Sequence, residues 1–124
     1  MARLLVVDDE IEVCDFLLNY FTEKGHSVFS ATGGEEALQL VREKLPDLLL
    51  LDIRMPGISG LEVLRRLRNE GSSSAVVMVT AIGDIEIFKE AKRLGAADYV
   101  TKPFRLDYLD SVVRFVSNSL NNKD

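Results

Sequence analysis

Five side chains have the types and positions needed to handle phosphate. Asp8 and Asp9 close the run "LLVVDD", Asp52 closes "LLLLD", Thr80 closes "VVMVT", and Lys102 follows "DYVT". Taken singly, each is ordinary. Asp9 suits a helix N-cap, Asp52 a turn start, Thr80 a strand end, and Lys102 a solvated surface charge. Taken together they are three carboxylates, a hydroxyl and an ammonium, each following an apolar run. Three neighbouring carboxylates repel one another and need a cation; their hard oxygen donors suit Mg²⁺. Lys102 adds a fixed positive charge. A metal, a lysine and a hydroxyl around one carboxylate form a receptacle for a phosphoryl group. The carboxylate can itself be the nucleophile and form an acyl phosphate.

These groups meet only if the apolar runs are neighbouring strands. Strands are expected at Leu4–Val7, Ser27–Ala31, Asp47–Leu51, Ala75–Val79 and Ala97–Val100. Amphipathic helices are expected at Glu10–Lys24, Gly33–Lys44, Gly60–Glu70, Ile85–Leu94 and Arg105–Asn118. Capping-box spacing marks three starts: Asp9 with Glu12, Thr32 with Glu35, and Ser59 with Glu62. Gly25, Gly71 and Gly95 stand where helices should stop. "LLLL" and "AVVMV" are continuously apolar, so both faces of those strands must be covered, as in a parallel sheet between helices. Five β–α units of this kind predict a doubly wound α/β domain with a five-stranded parallel sheet and five flanking helices. Ligands bind such folds beyond the carboxyl ends of the strands, where the winding reverses. All five side chains above stand at strand ends.

The bulk properties agree. The chain has 124 residues, enough for one domain, and 47% of them are apolar. Fifteen Lys and Arg against 20 Asp and Glu leave a net charge of −5, which disfavours direct nucleic-acid binding. No apolar run reaches the ~20 residues of a membrane span, and no signal peptide opens the chain. Cys14 is the one cysteine, so neither a disulfide nor a cysteine metal cluster is expected, and a cytoplasmic location is the simplest reading. Residues 1–120 are expected to form the domain, and 121–124 a tail or linker stub.

"LLVVDDE", "PDLLLLDIRMPGISGLEVL", "VVMVTA" and "GAADYVTKPF" closely resemble the receiver domains of two-component response regulators, over residues 3 to about 118. The resemblance implies the flavodoxin-like strand order 2-1-3-4-5. It implies that Asp52 accepts a phosphoryl group from a sensor histidine kinase or a histidine phosphotransfer protein. It places Mg²⁺ on Asp8, Asp9, Asp52 and the backbone carbonyl of Arg54. Thr80 then bonds the phosphoryl group, Lys102 pairs with it, and Tyr99 is the aromatic switch. Arg54 and Ile82 flank the path of hydrolytic water, and a cis peptide is expected at Lys102–Pro103. The output is a changed surface on helix 4, strand 5 and helix 5, read by a downstream effector protein or domain. The unit is a monomer or an activation-dependent dimer. It is a phosphoacceptor that promotes its own phosphorylation and dephosphorylation, not an enzyme acting on a separate substrate.

Rival chemistries fit less well. A carboxylate-nucleophile phosphatase needs a second Asp two residues after the first, where Arg54 stands. A flavin site needs a hydroxyl-rich phosphate loop after the first strand, where Asp8-Asp9-Glu10 would repel phosphate. No G-x-x-x-x-G-K-[ST] loop is present. A pure scaffold module is the remaining alternative. Among other residues, His26 reads as solvated, Met55 and Met78 as packing, and Phe104 as an anchor for the last helix.

The first helix carries more apolar surface than one sheet contact needs. Val13, Phe16, Leu17, Tyr20 and Phe21 form an arc of roughly 140°, taken as the sheet-facing side. Ile11, Cys14 and Leu18 widen it to roughly 220°. That surplus is read as an exposed apolar strip for kinase docking, against the plainer reading that neighbouring helices cover it.

Overall fold

The computed structural model describes residues 2–81 and 85–121. Strands and helices alternate along the chain: β1 (Arg3–Val7), α1 (Ile11–Glu23), β2 (Ser27–Ala31), α2 (Gly34–Lys44), β3 (Leu48–Leu51), α3 (Gly60–Asn69), β4 (Ala75–Thr80), α4 (Ile85–Arg93), β5 (Asp98–Thr101) and α5 (Leu106–Asn121). All strand pairs are parallel, in the order β2-β1-β3-β4-β5. From β1 the chain steps outward to β2, then crosses back to β3 on the other side. The winding therefore reverses between β1 and β3, and a crevice opens at their carboxyl ends.

Alternate side chains divide between two cores. Leu4, Val6, Leu48, Leu50, Val77, Val79 and Val100 pack with Cys14, Leu17 and Phe21 of α1 and with Leu109, Val112, Val113 and Val116 of α5. Leu5, Val7, Leu49, Leu51, Val76 and Met78 pack with residues of α2, α3 and α4. All four leucines of β3 are buried, two on each face. Each such side chain contributes roughly 1.5–3 kcal/mol by leaving water. A strand anchored on both faces holds whatever follows it.

Several local details differ from the sequence reading. Ser59 does cap α3, its Oγ accepting the Glu62 N–H at 3.1 Å. The other two capping boxes do not form. Asp8 rather than Asp9 bonds at the start of α1, its Oδ1 accepting the Glu10 N–H at 2.9 Å, and Glu10 takes the N-cap position. At α2 the N-cap is Gly33, and the Glu36 carboxylate reaches back to the Thr32 N–H at 3.0 Å. Gly25, Gly71 and Gly95 adopt positive φ after α1, α3 and α4, as expected of helix stops. His26 is half-buried rather than solvated: its Nδ1 accepts the Ala2 N–H at 3.1 Å and its ring meets the edge of Phe21. The last helix runs on to Asn121, because Val116 and Ser117 still face the core side.

Gly60 fixes how closely α3 approaches the end of β3. Its N–H donates to the Ile53 carbonyl at 2.8 Å. A Cβ there would lie 2.0 Å from the Asp52 carbonyl oxygen and 2.9 Å from Ile53 Cα, both backbone atoms. Gly60→Ala should therefore destabilise the fold by about 3 kcal/mol, the upper range for overpacking. Gly33→Ser, in open space at an N-cap, should stay within about 0.5 kcal/mol of the parent. Urea unfolding of both variants checks this; equal stability of the two would contradict it.

Candidate functional site

The parallel register aligns the acidic groups. Val7 of β1 pairs with Leu51 of β3, so Asp8 and Asp52 are the next residues on two adjacent strands. The ladder continues one step past each strand: Asp8 N–H donates to the Ala31 carbonyl at 3.1 Å, and Asp52 N–H to the Val7 carbonyl at 3.0 Å. On the far side, Leu51 pairs with Met78, which puts Thr80 at the same edge, and Lys102 N–H donates to the Thr80 carbonyl at 2.7 Å. Backbone bonds across β2, β1, β3, β4 and β5 thus carry all the chemical groups to one rim.

Lys102 lies between the carboxylates. Its Nζ is 2.5 Å from Asp8 Oδ2 and 3.4 Å from Asp52 Oδ2. Both carboxylates are buried; Asp52 is 6% exposed. Burial raises the Asp52 pKa and the Asp8 charge adds to the rise, while Lys102 and the Arg54 N–H, 3.3 Å from Asp52 Oδ1, oppose it. Burial alone would lower the Lys102 pKa, but its two carboxylate partners outweigh that and leave it raised. Asp9 is exposed at the mouth, and Thr80 is buried at the end of β4. The Lys102–Pro103 peptide is cis. Tyr99 is half-buried and meets Phe88 of α4 edge-on, with ring centroids 5.3 Å apart. Ile82 lies outside the described residues.

The donor set fits a hard divalent cation. One carboxylate oxygen from each of Asp8, Asp9 and Asp52 lies within 4.8 Å of the others. Opposite ligands of Mg²⁺ stand about 4.2 Å apart, from bond lengths of ~2.1 Å. Adjacent ligands stand nearer than opposite ones, so the three carboxylates would draw together to share one ion. No sulfur or imidazole is in the set, so the site favours Mg²⁺ over softer metals.

Behind the acidic groups lies Cys14, 1% exposed, its thiol donating to the Asp8 carbonyl at 3.2 Å. Burial pushes that thiol up to about 11, so it stays protonated and serves as a donor. This corrects the reading of Cys14 as part of an exposed strip. The buried stripe of α1 is Cys14, Leu17 and Phe21, whereas Phe16, expected to face the sheet, is 54% exposed. Ile11 is exposed and Leu18 half-buried. Phe16 and Val13 instead line an open cleft of about 530 Å³ with Ala81, Pro103 and Phe104, beside Lys102. Phe104 packs partly against the α1–α5 core, and Met55 and Met78 pack in the other. Among the described residues, no helix is long and apolar enough to cross a membrane.

A family model described as the response regulator receiver domain matches residues 4–114. The chain is 35% identical over 112 residues to sporulation initiation phosphotransferase F of Bacillus subtilis, covering 90% of each chain. It is 40% identical over 112 residues to the regulatory protein AtoC of Escherichia coli, covering 90% of this chain and 24% of that protein. It therefore spans nearly the whole of one relative and about a quarter of the other. The response regulator TrrA of Thermotoga maritima, solved in complex with Mg²⁺–BeF, is similar at a TM-score of 0.83 and 36% identity, over 94% of this chain and 99% of that one.

Without metal, three carboxylates face one lysine. Asp52→Asn removes one buried negative charge and should raise unfolding stability by about 1 kcal/mol in chelator. Millimolar Mg²⁺ should stabilise the parent and do so less for the variant. Urea titrations with and without Mg²⁺ provide the comparison. A variant less stable than the parent in chelator would show that the crevice is not strained by its own charge.

Proposed function

The chain belongs to the response regulator receiver domain family of two-component systems, and on that premise we propose that Asp52 accepts a phosphoryl group. The observation that carries this reading is Lys102, which bridges Asp8 and Asp52 at the rim where the winding reverses. A carboxylate oxygen of Asp52 attacks the phosphorus of a phosphohistidine on a sensor kinase or phosphotransfer protein. The P–N bond breaks, its electron pair leaves with the imidazole nitrogen, and that nitrogen takes up a proton. Asp8, Asp9 and Asp52, with the Arg54 carbonyl, would hold Mg²⁺. When bound, Mg²⁺ supplies positive charge opposite the phosphoryl oxygens. Lys102, already at the crevice, exchanges a carboxylate partner for a phosphoryl oxygen, and the Thr80 hydroxyl offers a second donor. Water attacking phosphorus later returns the Asp52 carboxylate and inorganic phosphate, with Arg54 beside its path.

Movement of Thr80 toward the new charge draws on β4 and makes room for Tyr99, which rests on Phe88 of α4. The surface of α4, β5 and α5 is the element so biased, and a separate effector protein or domain reads it. The unit runs through the end of α5 and acts in the cytoplasm, as a monomer or an activation-dependent dimer. Kinase docking falls to α1 beside the crevice, where Phe16, lining the cleft next to Lys102, takes the place of the buried Cys14, and Ile11 and Leu18 flank the other side of the helix.

Labelling with acetyl phosphate in Mg²⁺ should give one alkali-labile phosphate per chain in the parent and none in Asp52→Asn. Undiminished labelling of the variant would remove Asp52 as acceptor, and catalytic turnover of phosphate esters would favour a phosphatase.

Docking separates from chemistry when the donor is changed. Phe16→Ala should slow transfer from the cognate kinase about tenfold, the loss of a buried aromatic contact. Its labelling by acetyl phosphate should match the parent. Equal losses with both donors would place Phe16 in the fold rather than in the docking surface.

A further inference from the structure

One arginine closes the ends of two helices at the sheet edge opposite Asp52. Arg68 lies in the last turn of α3. Its Nε donates to the Leu94 carbonyl at 2.9 Å, and Nη2 to the Gly95 carbonyl at 3.2 Å. Its Nη1 donates to the Ser72 carbonyl at 3.2 Å and to the Ser74 carbonyl at 3.0 Å. Leu94 and Gly95 follow α4, Ser72 lies after α3, and Ser74 immediately precedes β4. One planar guanidinium thus ties the end of α4 to α3 and to the start of β4, a geometry that lysine does not reproduce. Burial lowers the Arg68 pKa, and among the described residues no carboxylate pairs with it. Carbonyls at the two helix C-termini supply the negative ends that balance its charge.

Other contacts hold the same end. The Ala97 N–H donates to the Val76 carbonyl at 2.7 Å, which fixes the turn after α4 to β4. Ala91 is buried, and Leu94 packs against the core shared with α3. Arg65 of α3 also reaches Glu90 at 3.4 Å, but both side chains are partly exposed, and such a pair contributes little. The first turns of α4 sit differently. The helix begins five residues after Thr80, beside the rim of the Asp52 crevice. Ile85 is exposed, Ile87 packs against the core, and Phe88 meets the Tyr99 ring edge-on. Apolar packing has no fixed direction, whereas hydrogen bonds from a charged donor are both directed and stronger than a ring contact.

We propose, on the reading of Asp52 as phosphoryl acceptor, that Arg68 is a positioning residue that pins the far end of α4. A change at Asp52 then turns the helix about Leu94 and Gly95 and moves its first turns most. Hinges of this kind are a few residues at the end of an element. The arms are unequal: at 1.5 Å per residue, Ile85 lies about 14 Å from Leu94 along the axis, and Lys92 about 3 Å.

Spin labels on Ile85→Cys or Lys92→Cys, each paired with a label on Glu43→Cys of α2, read the movement as an electron–electron distance. Cys14 is buried and stays in place. Beryllofluoride with Mg²⁺ stands in for the phosphoryl group. On its addition the distance to position 85 should change at least ~3-fold more than the distance to position 92. In Arg68→Gln the two changes should become equal. Arg68→Lys keeps the charge but not the fork, so it should fall between, and it carries the test if the glutamine variant does not fold. Equal changes in the parent, or one ratio shared by the parent and the Arg68 variants, would overturn the hinge. Amide NMR of the parent with the same additive separates the two readings. No shift at Asp52 would sink phosphoryl acceptance and the hinge with it, whereas shifts at Asp52 without movement of α4 would sink the hinge alone.

Discussion

Lys102 bridging Asp8 and Asp52 is the interaction on which the site depends. Two buried carboxylates one strand apart are unfavourable, and Asp9 at the mouth adds a third. One ammonium cannot neutralise all three. The crevice is therefore left with unbalanced negative charge, and that imbalance gives it affinity for a small hard cation. Burial, with the Asp8 charge beside it, explains why Asp52 holds its proton more readily than an exposed aspartate, despite its lysine partner.

Such a charge arrangement needs a frame that does not yield. β3 supplies it, with four leucines buried alternately in two cores and strands on both sides. Register then does the positioning: once Val7 pairs with Leu51, Asp8 and Asp52 must be neighbours. The surrounding loops are held as closely. Gly60 lets α3 begin directly against the Asp52 backbone, and the Cys14 thiol ties α1 to the Asp8 carbonyl. Precision at Asp52 thus comes from backbone pairing and close approach, while part of the α1 face beside it stays exposed.

The strands and the acidic rim were legible because their signals are strong. Short uninterrupted apolar runs bounded by turn signals read as strands covered on both faces, and the carboxylates that follow the first and third of them mark one rim. The orientation of α1 was not legible. With an apolar arc of roughly 220°, several faces serve equally well as the buried one. The sheet selects Cys14, Leu17 and Phe21, leaving Phe16 outside. The small Cys14 fits where α1 passes the Asp8 carbonyl. The start of α1 was misread for a related reason: Asp8 and Asp9 have the same chemistry, and only the geometry shows that Asp8 bonds the Glu10 N–H while Asp9 stays at the mouth. His26 gave no signal at all, since its partner is a backbone N–H 24 residues away in sequence.

On the proposed function, Asp52 alone carries the phosphoryl group, as a mixed anhydride. Borohydride reduces an acyl phosphate at the carboxyl carbon and converts the aspartate to homoserine, whereas phosphate esters and phosphoramidates are not converted. Peptide mapping by mass spectrometry after labelling and reduction reads the position directly. Homoserine at position 52 and nowhere else is the predicted result. Homoserine at position 8 or 9, or a label that survives reduction unchanged, would contradict the account.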